Sequence, residues 1–310
     1  MVKLDVVKAA FSGFGVIGRN PLAVLVWALF VGIVGVLPAF ALFGGIFSTV
    51  SELIAADQRG VEPTPEMVMP MLGSIFALLP VLMLSGLVMR VVLTGAIYRA
   101  VLFPKDSGWF YLRLGARELW LGLLFIVVGI IGFAIGMVMM AVVVPLVFVA
   151  GQNADPLVQM VMLRVAMLPL YGVMIFLFVR FCLAFPMTFA ESNFRLMESW
   201  SLTRGNSWRL VLVILLLVAL VIVAEVILGL IILAVVAAVI GAGAMKGDWS
   251  EERIVAFFSQ DPSVWMQSLL PWIIGGSVVA CILTALMTVI FTAPWAEAYR
   301  QLRGSPDGVA

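Results

Sequence analysis

Nearly all the charge in this chain lies between six long apolar runs, and that distribution dictates the fold class. The runs cover residues 22–47, 67–89, 119–150, 165–179, 210–224 continuing past Glu225 to 245, and 265–296. A bilayer core about 30 Å thick needs about 20 apolar residues per crossing helix. Most of the runs reach that length unaided, and the two shorter ones reach it by taking in Arg180 and Glu225. Lipid offers the backbone no hydrogen bonds, so each run must satisfy its own amides, which a helix does. Apolar residues make up 64% of the chain and charged residues 11%, against about 45–50% and about 25% in soluble domains. The predicted fold is an all-α, polytopic transmembrane helical bundle of six spans with interfacial amphipathic helices.

The same composition excludes several function classes. A net charge of +1 with no basic tract gives no handle for nucleic acid. Cys182 and Cys281 both sit inside or at the end of apolar stretches, where small packing residues are expected rather than a structural disulfide. The chain has no histidine, which removes the commonest general base and nitrogen metal ligand, so no cofactor and no metal are expected. Ala39-Phe40-Ala41 resembles a signal-peptide cleavage site. The apolar run before it is far longer than the about 7–15 residues of a secretory h-region, so it reads as a retained first span.

Orientation follows from the basic residues of the connections. One side carries Lys3, Lys8, Arg19, Arg99, Lys105, Arg113, Arg117, Arg195, Arg204, Arg209, Arg300 and Arg303; the other carries only Arg59, Arg164, Lys246 and Arg253. Twelve against four puts both termini in the cytoplasm of a bacterial inner membrane. The cytoplasmic connections 5–19, 105–118 and 191–203 read as helices lying in the membrane plane. In the first, Leu4, Val7, Ala10, Phe11 and Phe14 share a face; in the third, Phe194, Met197, Ser201 and Leu202 do. Gly205 and Asn206 read as the stop that ends the third, with Trp200 and Trp208 at headgroup level. Asp248-Trp-Ser-Glu251 forms a capping box for a short helix through Phe257 and Phe258 in the last outer loop.

Setting Asn20 against Asn206 pairs Phe14 with Trp200 and Asp5 with Glu191. The ends of the even spans, from Arg90, Arg180 and Thr288 onward, share a spacing and a small-residue pattern. The whole chain thus reads as a single membrane domain built from three parallel hairpin units at 1–104, 105–190 and 191–303.

Arg180-Phe-Cys-Leu-Ala-Phe-Pro186, then Ala190-Glu191, then Ser199-Trp200-Ser-Leu202-Thr203-Arg204-Gly205 and Trp208-Arg209 carry a resemblance. Over these about 30 residues the chain resembles uncharacterised bacterial multi-span proteins similar to the membrane domain attached to some glycerophosphoryl diester phosphodiesterases. What the resemblance implies is an α-helical inner-membrane module. In the fused relatives catalysis belongs to a separate soluble barrel that uses histidines, and this chain has none. The resemblance therefore implies ancestry and no phosphodiesterase activity.

Four charged residues are candidate functional groups. Glu225 lies about 15 residues into the fifth span, roughly 22 Å deep at 1.5 Å per residue. A carboxylate there is a proton or cation relay paired with Arg164, a buried carboxyl bonded to a neighbouring helix, or a group that reaches the outer surface because the span is tilted. Arg90 and Arg180 sit just inside the cytoplasmic interface. They either snorkel to phosphate from their own helices or converge on one cavity that holds a lipid phosphate. Arg99 and Arg113 read as ordinary interface cations. Gly32 and Gly35, and Gly132 with Gly136 in a GxxxG pattern, supply small faces for close helix approach. The expected function is that of a non-catalytic, lipid-interacting or membrane-organising protein with membrane phospholipid as its partner. A small-solute or lipid transporter using Glu225 is the alternative. An enzyme is disfavoured by the missing histidine and the absence of a carboxylate cluster at one depth. The sequence does not choose between a second copy of the chain and another membrane protein as a further partner.

Overall fold

The structure is a computed structural model that describes residues 3–58, 60, 64–151, 155–245 and 262–303. The fold is all-α, with no strand among the described residues. Six segments are long and apolar enough to cross a membrane: Pro21–Val50, Met67–Leu102, Gly108–Val149, Leu157–Glu191, Ser207–Ile227 and Leu270–Arg303. This is a multi-pass membrane protein. The helices are α1 (Val6–Ala10), α2 (Ser12–Arg19), α3 (Pro21–Val31), α4 (Leu37–Gln58), α5 (Pro65–Leu102), α6 (Ala116–Gly151), α7 (Pro156–Ala166), α8 (Leu168–Phe181), α9 (Ala184–Glu191), α10 (Leu196–Leu202), α11 (Ser207–Met245) and α12 (Pro262–Arg303). The capping box at Asp248 lies outside the described residues.

The chain divides into two compact units. The first draws on Met1–Arg19, Val91–Ile214 and Val289–Ala310, the second on Asn20–Arg90 and Leu215–Thr288. The three-copy register proposed from sequence cuts the chain along different lines.

Unit one contains the predicted interfacial segments. Asp5 caps α1 by accepting from the Lys8 amide at 3.0 Å, as its position before an apolar-periodic stretch requires. Gly13 sets α2 against α12: a Cβ there would lie 2.8 Å from Ile290 Cα, an approach only glycine permits. Phe11 and Phe14 remain exposed, on the face expected to meet lipid. The expected helix at 105–118 does not form. A tight turn at Gly108–Tyr111 replaces it, with Trp109, Phe110 and Tyr111 all at positive φ, and α6 starts at Ala116. Pro104, Ser107, Gly108 and Gly115 interrupt the expected helix.

The expected helix at 191–203 is shorter, and its Met197 is exposed on the side expected to meet lipid. Ser192 stops α9 in the left-handed region, and α10 buries Leu196 and Ser199 while leaving Met197 exposed. Gly205 is left-handed (φ 85°), as the predicted stop requires. The core of this unit gathers Leu124, Ala184 and Leu196 against Val127, Val128, Phe181, Phe185 and Phe194.

In unit two, Gly32 lies against Cys281 Sγ and Gly35 against Met89 Sδ, with a Cβ there falling 3.5 and 3.0 Å away. These glycines do serve helix approach. Gly132 and Gly136, in unit one, do not: a Cβ on either would meet nothing within 4 Å, so the GxxxG face is open. Both cysteines are buried and free.

Candidate functional site

The polar groups of unit one converge where its helices end, around two centres that sequence reasoning missed, one buried and one partly exposed. The first is Arg99. Its Nη2 donates to Glu118 at the start of α6 and its Nη1 to the Tyr111 carbonyl at 2.6 Å. Asp106 lies 3.6 Å from Nε and pairs with Arg113 at 2.7 Å. Arg99 is 4% exposed and Glu118 1%, so the reading of Arg99 as an ordinary interface cation is corrected. Arg113 alone fits that description. The backbone of Gly115 donates to the other Glu118 oxygen at 2.9 Å. Gly95 leaves room for the pair, since a Cβ there would lie 3.2 Å from Glu118.

The second centre is Glu191 at the end of α9. Its carboxylate accepts from Arg303 and, at 3.2 Å, from the Tyr299 hydroxyl, both on α12. Arg195 Nε lies 3.0 Å from its other oxygen. Arg195 also donates to Glu198 at 2.9 Å, which holds that carboxyl below its usual range. Arg117 lies over Phe103 at 4.3 Å and donates to Ser192 Oγ at 3.3 Å. The N-terminal segment is tied into the same layer. Arg209 donates to the Leu4 carbonyl at 3.0 Å, and the Asp5 amide donates to Gln301 at 2.8 Å. These groups neutralise one another, and a network of paired charges is a fastening rather than a reacting centre. Among the described residues no three His, Cys, Asp or Glu side chains are placed to hold a metal.

Arg180 is different. It is half-buried near the end of α8, and its guanidinium lies 5.1 Å from the Trp200 ring and 5.4 Å from Phe176. Its Nε and Nη1 are enclosed yet have no hydrogen-bond partner. Ring stacking occupies the faces of the guanidinium and leaves its edge donors unmatched. The α10 helix that supplies Trp200 is fixed at this point, because Ser199 Oγ donates to the Arg180 carbonyl at 2.8 Å. Trp200 also packs on Phe181 at 5.8 Å, and Phe181 lines an apolar groove of about 400 Å³. Val128, Gly132, Met174, Phe178 and Phe185 are among its other walls.

The remaining sequence candidates are more dispersed. Arg90 is exposed at the end of the second unit's α5 segment. Glu225 is exposed on the second unit's part of α11, and Arg164 is exposed on α7 in the first. No carboxylate lies within ion-pair distance of Arg180 among the described residues. The signal for Arg99 and Glu118 was present in the sequence as an acid immediately before an apolar run, 19 residues after an arginine that follows the preceding run by ten residues. No family model, no curated protein and no solved structure matches this chain.

Proposed function

We propose that this chain is a non-catalytic lipid-binding protein of the bacterial inner membrane, with both termini in the cytoplasm, and that Arg180 holds the phosphate of an anionic phospholipid. The observation that carries the reading is the guanidinium with two enclosed, unmatched donors. A buried N–H without a partner costs about 1–3 kcal/mol, and a phosphate ester offers oxygens in the planar geometry a guanidinium matches. Trp200 and Phe176 hold the fork in place before a ligand arrives. The groove beside Phe181 has the size and apolar lining of a site for part of an acyl chain; ligand sites span roughly 300–1,000 Å³. The twelve-to-four distribution of basic residues supports the orientation. The likeness of 180–209 to the phosphodiesterase membrane domain belongs to this proposal as a statement of ancestry.

Native mass spectrometry of the purified protein tests it. Phosphatidylglycerol bound to the wild type should be retained by the Arg113→Gln variant and lost from Arg180→Gln. Equal retention by both variants would leave Arg180 as a snorkelling side chain with no ligand.

A further inference from the structure

The connection between α5 and α6 contains three successive non-glycine residues in the left-handed region: Trp109 (φ 51°), Phe110 (φ 55°) and Tyr111 (φ 66°). Each is a conformation that L-residues adopt at a cost, so it persists because its surroundings impose it. Arg99 imposes it from inside by taking the Tyr111 carbonyl at 2.6 Å, and the Tyr111 hydroxyl donates to the Pro104 carbonyl at 3.4 Å. The run of left-handed residues reverses the chain so that Tyr111 is buried while the residues before it turn outward. Trp109 is 86% exposed and Leu114 72%. A tryptophan held so far out by a strained backbone is displayed to something.

We propose that the 107–114 turn is an anchor that seats Trp109 and Leu114 in the headgroup layer of the bilayer at the end of α5. Three observations choose the lipid surface as the occupant. Continuity is the first: Leu114 leads into Leu119, Leu123, Ile126, Ile130 and Phe133, an exposed stripe at helical spacing along a helix that crosses the membrane. The apolar surface of the turn is therefore the end of a surface that lipid already covers. Reach is the second: only residues 103–115 join α5 to α6, and Arg99 and Glu118 draw the two helix ends together, so the turn cannot stand far from the interface. Charge is the third: Lys105 flanks the aromatic tip and is exposed, where a cation is attracted to an anionic leaflet, while Arg113 on the other flank is paired with Asp106. Tryptophan itself favours that layer, since its ring is apolar and its N–H needs a polar partner. The inference does not depend on Arg180.

Depth measurement tests the anchor. Trp109→Cys and Leu114→Cys, each carrying a nitroxide label, are reconstituted separately into vesicles of phosphatidylcholine with phosphatidylglycerol. The native cysteines are buried, and both chosen side chains are exposed, so neither replacement removes core packing. Collisions with oxygen and with a water-soluble nickel chelate are read for each label, with Leu123→Cys as the lipid reference and the free label as the aqueous one. The expected result is nickel accessibility several-fold below that of free label at both positions, with an oxygen-to-nickel preference short of that at Leu123. Nickel accessibility equal to free label at both positions overturns the proposal and leaves the turn standing in water as a surface for a protein.

Discussion

Replacing Glu118 by Gln isolates the charge in the buried Arg99 pair, because the amide keeps the volume and an acceptor oxygen. In the wild type both partners are almost fully enclosed, at 5% and 1% side-chain exposure. Breaking such a pair by removing one charge costs about 3–5 kcal/mol, since the remaining ion stays buried and uncompensated. Two local features set where in that range the value falls. Asp106 lies 3.6 Å from Arg99 Nε, but it is 40% exposed, and half-solvated pairs return only about 0.2–1 kcal/mol. Gly115 loses a charged acceptor, but its amide is at the exposed start of α6, where water replaces the bond. The expected loss is therefore near the low end, about 3 kcal/mol. Removing both charges as Arg99→Met with Glu118→Met should cost less than the sum of the single changes, leaving mainly the orphaned Tyr111 carbonyl at about 1–3 kcal/mol. Unfolding by sodium dodecyl sulfate from mixed micelles, run as a double-mutant cycle, measures both. A Glu118→Gln loss below about 1 kcal/mol, no larger than that of an exposed pair, would refute the claim that Arg99 and Glu118 clamp the two helices.

Gly13→Ala should lower stability by about 1–3 kcal/mol through overpacking against the Ile290 backbone, which cannot rotate away; Gly18→Ala on the same helix, which meets nothing within 4 Å, should not. Unfolding of the two variants side by side should give opposite or null signs, and equal losses would remove the close approach from the account. A cysteine at Asp155 should react with an impermeant maleimide from the periplasmic side of intact cells and one at Lys105 only after permeabilisation, and the reverse pattern would invert the orientation. Glu198 is held below the usual carboxylate value by Arg195, so its contribution is present above an ordinary glutamate pKa of about 4.3 and disappears as pH falls through the depressed value. Hydrogen exchange at the α10 amides should accelerate across that acid window in the wild type and not in Glu198→Gln, and a pH response that survives in the variant would assign it elsewhere.

What could be read from the sequence was what depends on composition over twenty residues at a time. Six apolar runs give six crossings because burying an amide in lipid is costly everywhere along a run, and no single contact decides the outcome. The interfacial connections are decided by few residues, and there the reading drifted. Residues 105–118 read as an interfacial helix by analogy with the other cytoplasmic connections, yet Arg99 takes the Tyr111 carbonyl and three residues there are left-handed. In α10 the start of the helix moved to Leu196, and the buried position of Ser199 is set by its bond to the Arg180 carbonyl, a contact no periodicity contains, while Met197 lies outward as its apolar spacing implied.

Charge pairing explains why the important arginines were misjudged. Counting Lys and Arg by loop treats every cation as a solvated one, which serves orientation and hides structure. Arg99 and Arg303 both count as cytoplasmic cations, yet each reaches a carboxylate at the end or start of a span, Glu118 and Glu191. A helix end buried against its neighbours needs its cations neutralised locally, and a carboxylate one helix away does so: almost fully enclosed for Arg99 and Glu118, partly exposed for Arg303 and Glu191. Arg180 has no such carboxylate: its stacking partners are rings, its carbonyl rather than its guanidinium receives Ser199, and two of its donors are enclosed without a hydrogen-bond partner. Arg99, Arg195 and Arg303 are matched by Glu118, Glu191 and Glu198 of the chain itself, and the contrast with the two partnerless donors of Arg180 is what the phospholipid proposal rests on.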